Sequence, residues 1–211
     1  MAALPIKQQL LVEGKNDRHV IWALCKTHQV PEIFTVELPT ETDGGINELL
    51  ESIPVRLKTS RLQTLGIIVD ADQNLQSRWE AVCYRLVEAG YENLPKEPDI
   101  EGTIIAPFGK PKIGIWLMPD NQLSGMLENF VAHLMPDGDP LAAKAEVVLQ
   151  EIELTNLNLY TITHRPKAYI HTWLAWQKTP GQPMGQAITE SLQYNKPLAL
   201  VFVKWLNRLF T

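Results

Sequence analysis

Apolar positions along the chain recur with two alternating periods. Leu10-Leu11-Val12 is a short apolar run broken at Glu13-Gly14, which predicts a first strand. Val20, Ile21, Leu24 and Cys25 then form a helical stripe, with Asn16 or Asp17 as its predicted cap. Ile33 to Leu38 alternates as a second strand, and Gly44-Gly45 precedes a second helical stripe at Ile46, Leu49, Leu50 and Ile53. Leu65-Gly66-Ile67-Ile68-Val69 is continuous and ends at Asp70-Ala71-Asp72; such a run suits a strand buried on both faces. Leu75, Trp79, Val82 and Leu86 mark a third helix. Thr103 to Ala106 and Ile113 to Met118 predict two more strands, joined through the turn-like Gly109-Lys110-Pro111.

This alternation is the rhythm of an α/β domain with a mainly parallel sheet flanked by helices. Right-handed crossovers then align the C-terminal strand ends along one edge, where such sheets bind ligands. Beyond Asn121 the period is helical throughout: Leu123, Met126, Leu127, Phe130, Val131 and Leu134, then Leu141, Ala145, Val148, Leu149 and Ile152, and finally Leu198, Val201, Phe202, Trp205 and Leu209. We therefore expect an α/β domain over residues 1–135 and a helical C-terminal extension over 136–211 packed on it. Trp173, Trp176 and Trp205 are expected in the core, and Lys178 to Gly185 as a loop.

Composition narrows the function. Nineteen Lys and Arg against 24 Asp and Glu leave a net charge of −5. This argues against coating nucleic acid by bulk charge, but leaves room for one local, metal-bearing contact. The basic groups Arg56, Lys58 and Arg61, and Lys110 and Lys112, are small clusters of the kind that usually lies on a solvated surface. Cys25 and Cys83 are too few for a disulfide framework and read as buried free thiols of a reducing compartment. No apolar run approaches the roughly 20 residues of a membrane span. The opening residues lack the charged-then-apolar pattern of a signal peptide, so a cytoplasmic protein is expected.

Three acids stand out by position. Glu13 falls where strand one ends, and Asp70 and Asp72 where strand three ends. On extended backbone the i, i+2 spacing points both carboxylates the same way. Strands one and three of a doubly wound sheet are commonly neighbours, which would bring Glu13 to face the pair. Three carboxylates repel unless something cationic joins them, and a hard divalent ion with oxygen ligands is the natural partner. Asp-x-Asp after a strand is also ordinary turn and cap chemistry, and Asp17 could be a simple helix cap.

Leu11-Val12-Glu13-Gly14 with Asp17, followed by Ile68-Val69-Asp70-Ala71-Asp72, resembles a TOPRIM domain, the module shared by topoisomerases, bacterial primases, recombination proteins and OLD-family nucleases. The form here is closest to the OLD-like branch and to small stand-alone bacterial TOPRIM-like proteins, and covers roughly residues 6 to 135. The resemblance implies a Rossmann-like fold, Mg²⁺ (or Mn²⁺) held by Asp70 and Asp72, and Glu13 as general acid/base or additional ligand. It further implies Asp17 and Glu128 as metal ligands and Lys167 as a catalytic lysine from a later segment. Glu128 otherwise reads as a solvated helix residue, Lys167 as an exposed lysine, and Arg165 beside it as a possible phosphate contact. Asp120, in Pro119-Asp120-Asn121, is good turn chemistry. The chain departs from the family in lacking an ATPase segment, the DNA-gripping parts of topoisomerases and the zinc domain of primases. Its five histidines show no ligand spacing, and Gly14-Lys15 lacks the upstream glycine of a P-loop.

Two functions follow as expectations. One is a Mg²⁺-dependent nuclease of TOPRIM type acting on nucleic acid, DNA in preference to RNA. The other is a non-catalytic TOPRIM-fold subunit that binds nucleic acid or regulates a separate ATPase partner. No membrane partner is expected, and the helical third offers a surface for a homodimer.

Overall fold

In a computed structural model, described here for residues 7–40 and 45–211, five strands and eight α-helices form an α/β fold of Rossmann-like type. The strands are β1 (Gln8–Leu11), β2 (Thr35–Glu37), β3 (Thr64–Asp70), β4 (Thr103–Ile105) and β5 (Lys112–Met118). The helices are α1 (Lys15–Thr27), α2 (Ile46–Leu57), α3 (Leu75–Glu88), α4 (Leu127–His133), α5 (Pro140–Leu154), α6 (Arg165–Ala175), α7 (Met184–Glu190) and α8 (Pro197–Phe210). The sheet order is β2-β1-β3-β5-β4, parallel except for the β4–β5 pair. Strands β1 and β3 are neighbours, in register from Gln8↔Thr64 to Leu11↔Ile67.

The central strands are apolar throughout because both of their faces are covered. Leu10, Ile68, Trp116 and Met118 point into one core with α1, α4, α6, α7 and α8. Leu11, Ile67, Val69, Ile115 and Leu117 point into the other with α2 and α3. A seven-residue run such as β3 thus needs no polar alternation. Helix α8 lies directly on the sheet. Gly66 and Gly114 are register partners; a Cβ at Gly114 would press into the Leu209 side chain, and one at Gly66 into Leu10 first and then against Leu209 and Phe210. The glycine pair forms the hollow that seats α8, and Trp205 packs beside it against Trp116. The C-terminal helices α6, α7 and α8 therefore share one face of the sheet's core with α1 and α4.

Several sequence expectations shift. Strand β2 is shorter than Ile33–Leu38, and α1 is capped by Gly14, with Asp17 inside its first turn. Gly45 caps α2, while Gly44 lies outside the described residues. Leu123 precedes α4 and is exposed, because Gly125 (φ +147°) interrupts the helical path there. The loop expected over Lys178–Gly185 ends at Pro183, where α7 begins. Trp173 and Trp205 are fully buried, but Trp176, the C-cap of α6, is 38% exposed. Neither cysteine is disulfide-bonded. Among the described residues, no helix is long and apolar enough to cross a membrane.

Candidate metal and phosphate site

The C-terminal edge of the sheet carries a cleft of about 400 Å³ lined by Glu13, Asp17, Asp70, Glu128, Lys15 and Lys167, among others. Each acid arrives by a different route. Glu13 leaves the end of β1, and Asp17 sits in the first turn of α1. Asp70 is the last residue of β3, and Glu128 lies in the first turn of α4. Backbone N–H groups orient three of them. Glu13 Oε1 accepts from Asp70 N at 2.7 Å, Asp70 Oδ1 from Leu127 N at 2.9 Å, and Asp17 Oδ2 from Gly14 N at 3.2 Å. Leu127 N and Gly14 N belong to helix N-termini, where unpaired donors favour carboxylates.

The cleft is short of positive charge. Asp17 and Glu128 are buried; Lys15 and Lys167 share the cleft, Lys167 Nζ lies 4.0 Å from Glu128 Oε1, and the Arg78 Nε donates to the Asp70 carbonyl. Burial, reinforced by the charge of Glu13, pushes the Asp17 carboxyl up to about 7. Burial also raises Asp70 well above the usual carboxylate range, and Glu13, Asp17 and Glu128 add to the rise. Glu13 is raised by burial as well, against the lowering effects of the Asp70 N–H and the Arg78 charge. These carboxylates hold protons more tightly than ordinary acids because burial and their mutual repulsion outweigh the nearby donors and cations.

Asp72 departs from the same-side expectation. That spacing rule holds for extended backbone, whereas Asp72 has φ +52° and donates its N–H to Gly125 O at 2.7 Å. Its carboxylate accepts from Arg78 Nη2 at 2.5 Å and lines an adjoining recess with Gln73, Asn74, Ser77, Arg78 and Thr163. The structure thus gathers Glu13, Asp17, Asp70, Glu128 and Lys167, and sets Asp72 next door. Arg165 is engaged elsewhere, clamping Glu146 and Glu153. Asp120 closes its turn, accepting from Gln122 N and Leu123 N.

The residue that sequence reasoning missed is Arg78. Its Nε donates to the Asp70 carbonyl at 2.8 Å while its Nη2 holds Asp72, so one guanidinium fixes the whole Asp70-Ala71-Asp72 turn. The available signal was position: Asn74 caps α3 through Ser77 N, which puts Arg78 one turn in, beside the apolar stripe and under the strand end.

Residues 7–211 match a family model described as "Protein of unknown function (DUF3226)". The chain belongs to the DUF3226 family. No curated protein and no solved structure matches it. The DUF3226 match spans the sheet and the C-terminal helices alike, so the wall of the cleft that carries Lys167 belongs to the family's extent as much as Glu13 and Asp70 do.

The donor set suits a hard divalent cation in kind: the acids that line the cleft offer only oxygen, and the four of them outnumber the two lysines that line it with them. The set is not drawn together as it stands. Among the described residues, no three carboxylate, imidazole or thiol groups converge into a ready coordination set. Three of the four acids each have one oxygen engaged by a backbone N–H.

Proposed function

We propose that this chain is a Mg²⁺- or Mn²⁺-dependent phosphodiester-cleaving enzyme, a nuclease of TOPRIM type working in the cytoplasm. The observation that carries the reading is the meeting of Glu13, Asp17, Asp70 and Glu128 in one cleft at the C-terminal edge of a parallel sheet. Burial raises the proton affinity of three of them. Acids arranged at this cost to the fold are characteristic of functional sites. A divalent ion bound there supplies charge to a phosphodiester and acidifies a bound water.

The residues divide the work by position. Asp70, with Asp17 and Glu128, presents oxygens for the ion, and Asp72 joins them if Arg78 releases it. Glu13 keeps Oε1 on the Asp70 N–H, which leaves Oε2 to exchange a proton; burial raises its proton affinity above that of an ordinary carboxylate, the direction general acid/base work needs. Lys167, 48% exposed at the cleft mouth, meets the phosphate charge. The surrounding burial limits water and strengthens each of these contacts.

The second reading, a non-catalytic nucleic-acid-binding or regulatory subunit for an ATPase partner, draws on the absence of a converged coordination set among the described residues. Cleavage assays separate the two. Plasmid, single-stranded DNA and RNA are incubated with Mg²⁺ or Mn²⁺ and either wild type, Asp70→Asn or Glu13→Gln. The nuclease reading expects metal-dependent cleavage that both variants lose while remaining folded. Equal cleavage by all three proteins, or none by wild type, contradicts it.

A further inference from the structure

Two basic segments that are far apart in the chain meet at the other end of the sheet. Lys58 and Lys110 line a single cleft of about 440 Å³ with Ser60, Gln63 and Gly109. No carboxylate lines it. Arg61 stands between two lining residues, Ser60 and Leu62. The Lys112 N–H donates to Gln63 O at 2.8 Å, and Lys7 O accepts from Gln63 N at 2.7 Å. Lys7 and Lys112 thus stand at the starts of β1 and β5, on either side of β3. Neighbouring strands are ~4.8 Å apart, so about 10 Å separates them.

Not all of these cations are available. Arg56 is committed to Gln9 and the Leu38 carbonyl, and Lys110 to the Gly90 carbonyl and the Tyr91 ring. Lys7, Lys58, Arg61 and Lys112 form no ion pair among the described residues. Lys58 at the C-terminus of α2 is explained by the helix dipole. Lys7, Arg61 and Lys112 lie outside the helices and have no such dipole role. Beside them Phe108 is fully exposed, one residue before Gly109. An apolar ring wholly in water contributes nothing to the core.

We infer that this basic edge binds the sugar–phosphate backbone of a single nucleic-acid strand, with Phe108 as the platform for one base. Exposed cations neutralise phosphates by displacing counterions. A lone projecting aromatic suits an unpaired base with an open π-face better than a stacked duplex. The edge is distinct from the carboxylate cleft: β3, seven residues long, runs about 20 Å from one to the other. The inference rests on this edge alone and not on metal binding or cleavage.

The test is fluorescence anisotropy with labelled dT12 in EDTA, over a series of salt concentrations. The proteins are wild type, Lys58→Ala/Arg61→Ala/Lys112→Ala, the milder Lys58→Gln/Arg61→Gln pair, and Phe108→Ala, each checked by circular dichroism. The triple variant should bind at least tenfold more weakly at 50 mM salt, with a log–log salt slope shallower by about 2. The Gln pair should lose more than half as much of the slope. Phe108→Ala should weaken binding about fivefold or more. No binding by wild type at 50 mM salt overturns the inference, as does an unchanged salt slope in the folded variants. So does equal competition by polyglutamate together with no effect of Phe108→Ala, which would assign the edge to an acidic protein. Because EDTA removes divalent ions, none of these outcomes depends on the cleft's chemistry.

Discussion

Glu13 Oε1 accepts the backbone N–H of Asp70 at 2.7 Å, so the side chain that leaves β1 holds the end of β3 in place. A residue proposed to move protons is therefore also part of the frame that positions its partner. The two roles separate by substitution. Glu13→Gln keeps an oxygen for the Asp70 N–H and removes a buried charge, whereas Glu13→Ala leaves that N–H without its acceptor. In metal-free protein, Gln should equal or exceed wild type in urea stability, and Ala should fall below Gln by about 1–3 kcal/mol. Equal stability of the two variants would show that the hydrogen bond carries no structural weight.

The Asp17 carboxyl gives the metal-free protein a pH dependence of defined sign. Its proton affinity is raised from 3.8 to about 7 on folding, first by burial and then by the Glu13 charge. Between those values the folded state binds more protons than the unfolded state, so stability falls as pH rises and the loss is complete above about 7. Urea midpoints measured in EDTA from pH 4 to pH 8 should decline for wild type. They should decline less for Asp17→Asn, which should be the more stable protein at pH 8. Parallel curves for the two proteins would contradict the burial of Asp17 in its charged form.

Arg78 joins the Asp70 carbonyl to the Asp72 carboxylate, and a lysine cannot make both bonds in one plane. Arg78→Lys should destabilise the protein by about 1–3 kcal/mol. If Asp72 becomes a ligand once released, the same variant should change Mn²⁺ affinity, read by electron paramagnetic resonance of the free ion. An unaltered thermal midpoint would remove Arg78 from the frame of the site.

The seat of α8 on the glycine pair can be tested by a double-mutant cycle. Leu209→Ala should cost about 2–5 kcal/mol as a buried large-to-small change. Gly114→Ala should cost about 1–3 kcal/mol, because its Cβ presses into Leu209. The double variant should be less destabilised than the sum, since removing Leu209 makes room for the added methyl. Strict additivity would mean that the two residues do not share the contact.

Much of this frame was legible from residue pattern. The apolar run Leu65–Val69 predicted a doubly buried strand, and its end at Asp70 opposite Glu13 followed from the adjacency of β1 and β3. Asp17, Glu128 and Lys167 were named through the TOPRIM resemblance, and the fold brings them to the same cleft. Asp72 was misdirected because a two-residue period assumes extended backbone, and the positive φ at Asp72 comes from its tertiary bond to Gly125. Arg78 was passed over because a charged residue beside an apolar stripe reads as surface until the strand end above it is known. The same limit hid the basic edge. Lys58 and Lys110 belong to two unremarkable clusters in sequence, and only the placement of β3 beside β5 joins them. Short α7 escaped notice since Pro and Gly surround it and it makes only two turns.

The central claim is that the cleft's acids serve a divalent cation. Isothermal titration of Mg²⁺ and Mn²⁺ into wild type, Asp70→Asn and Glu13→Gln/Asp70→Asn, repeated near pH 6 in two buffers of different ionisation enthalpy, tests it most directly. Binding to wild type should release protons, because carboxyls of raised proton affinity must give them up to the ion. Both the binding and the buffer-dependent heat should vanish in the double variant. Ion binding of equal strength in all three proteins, or none to wild type, would contradict the account.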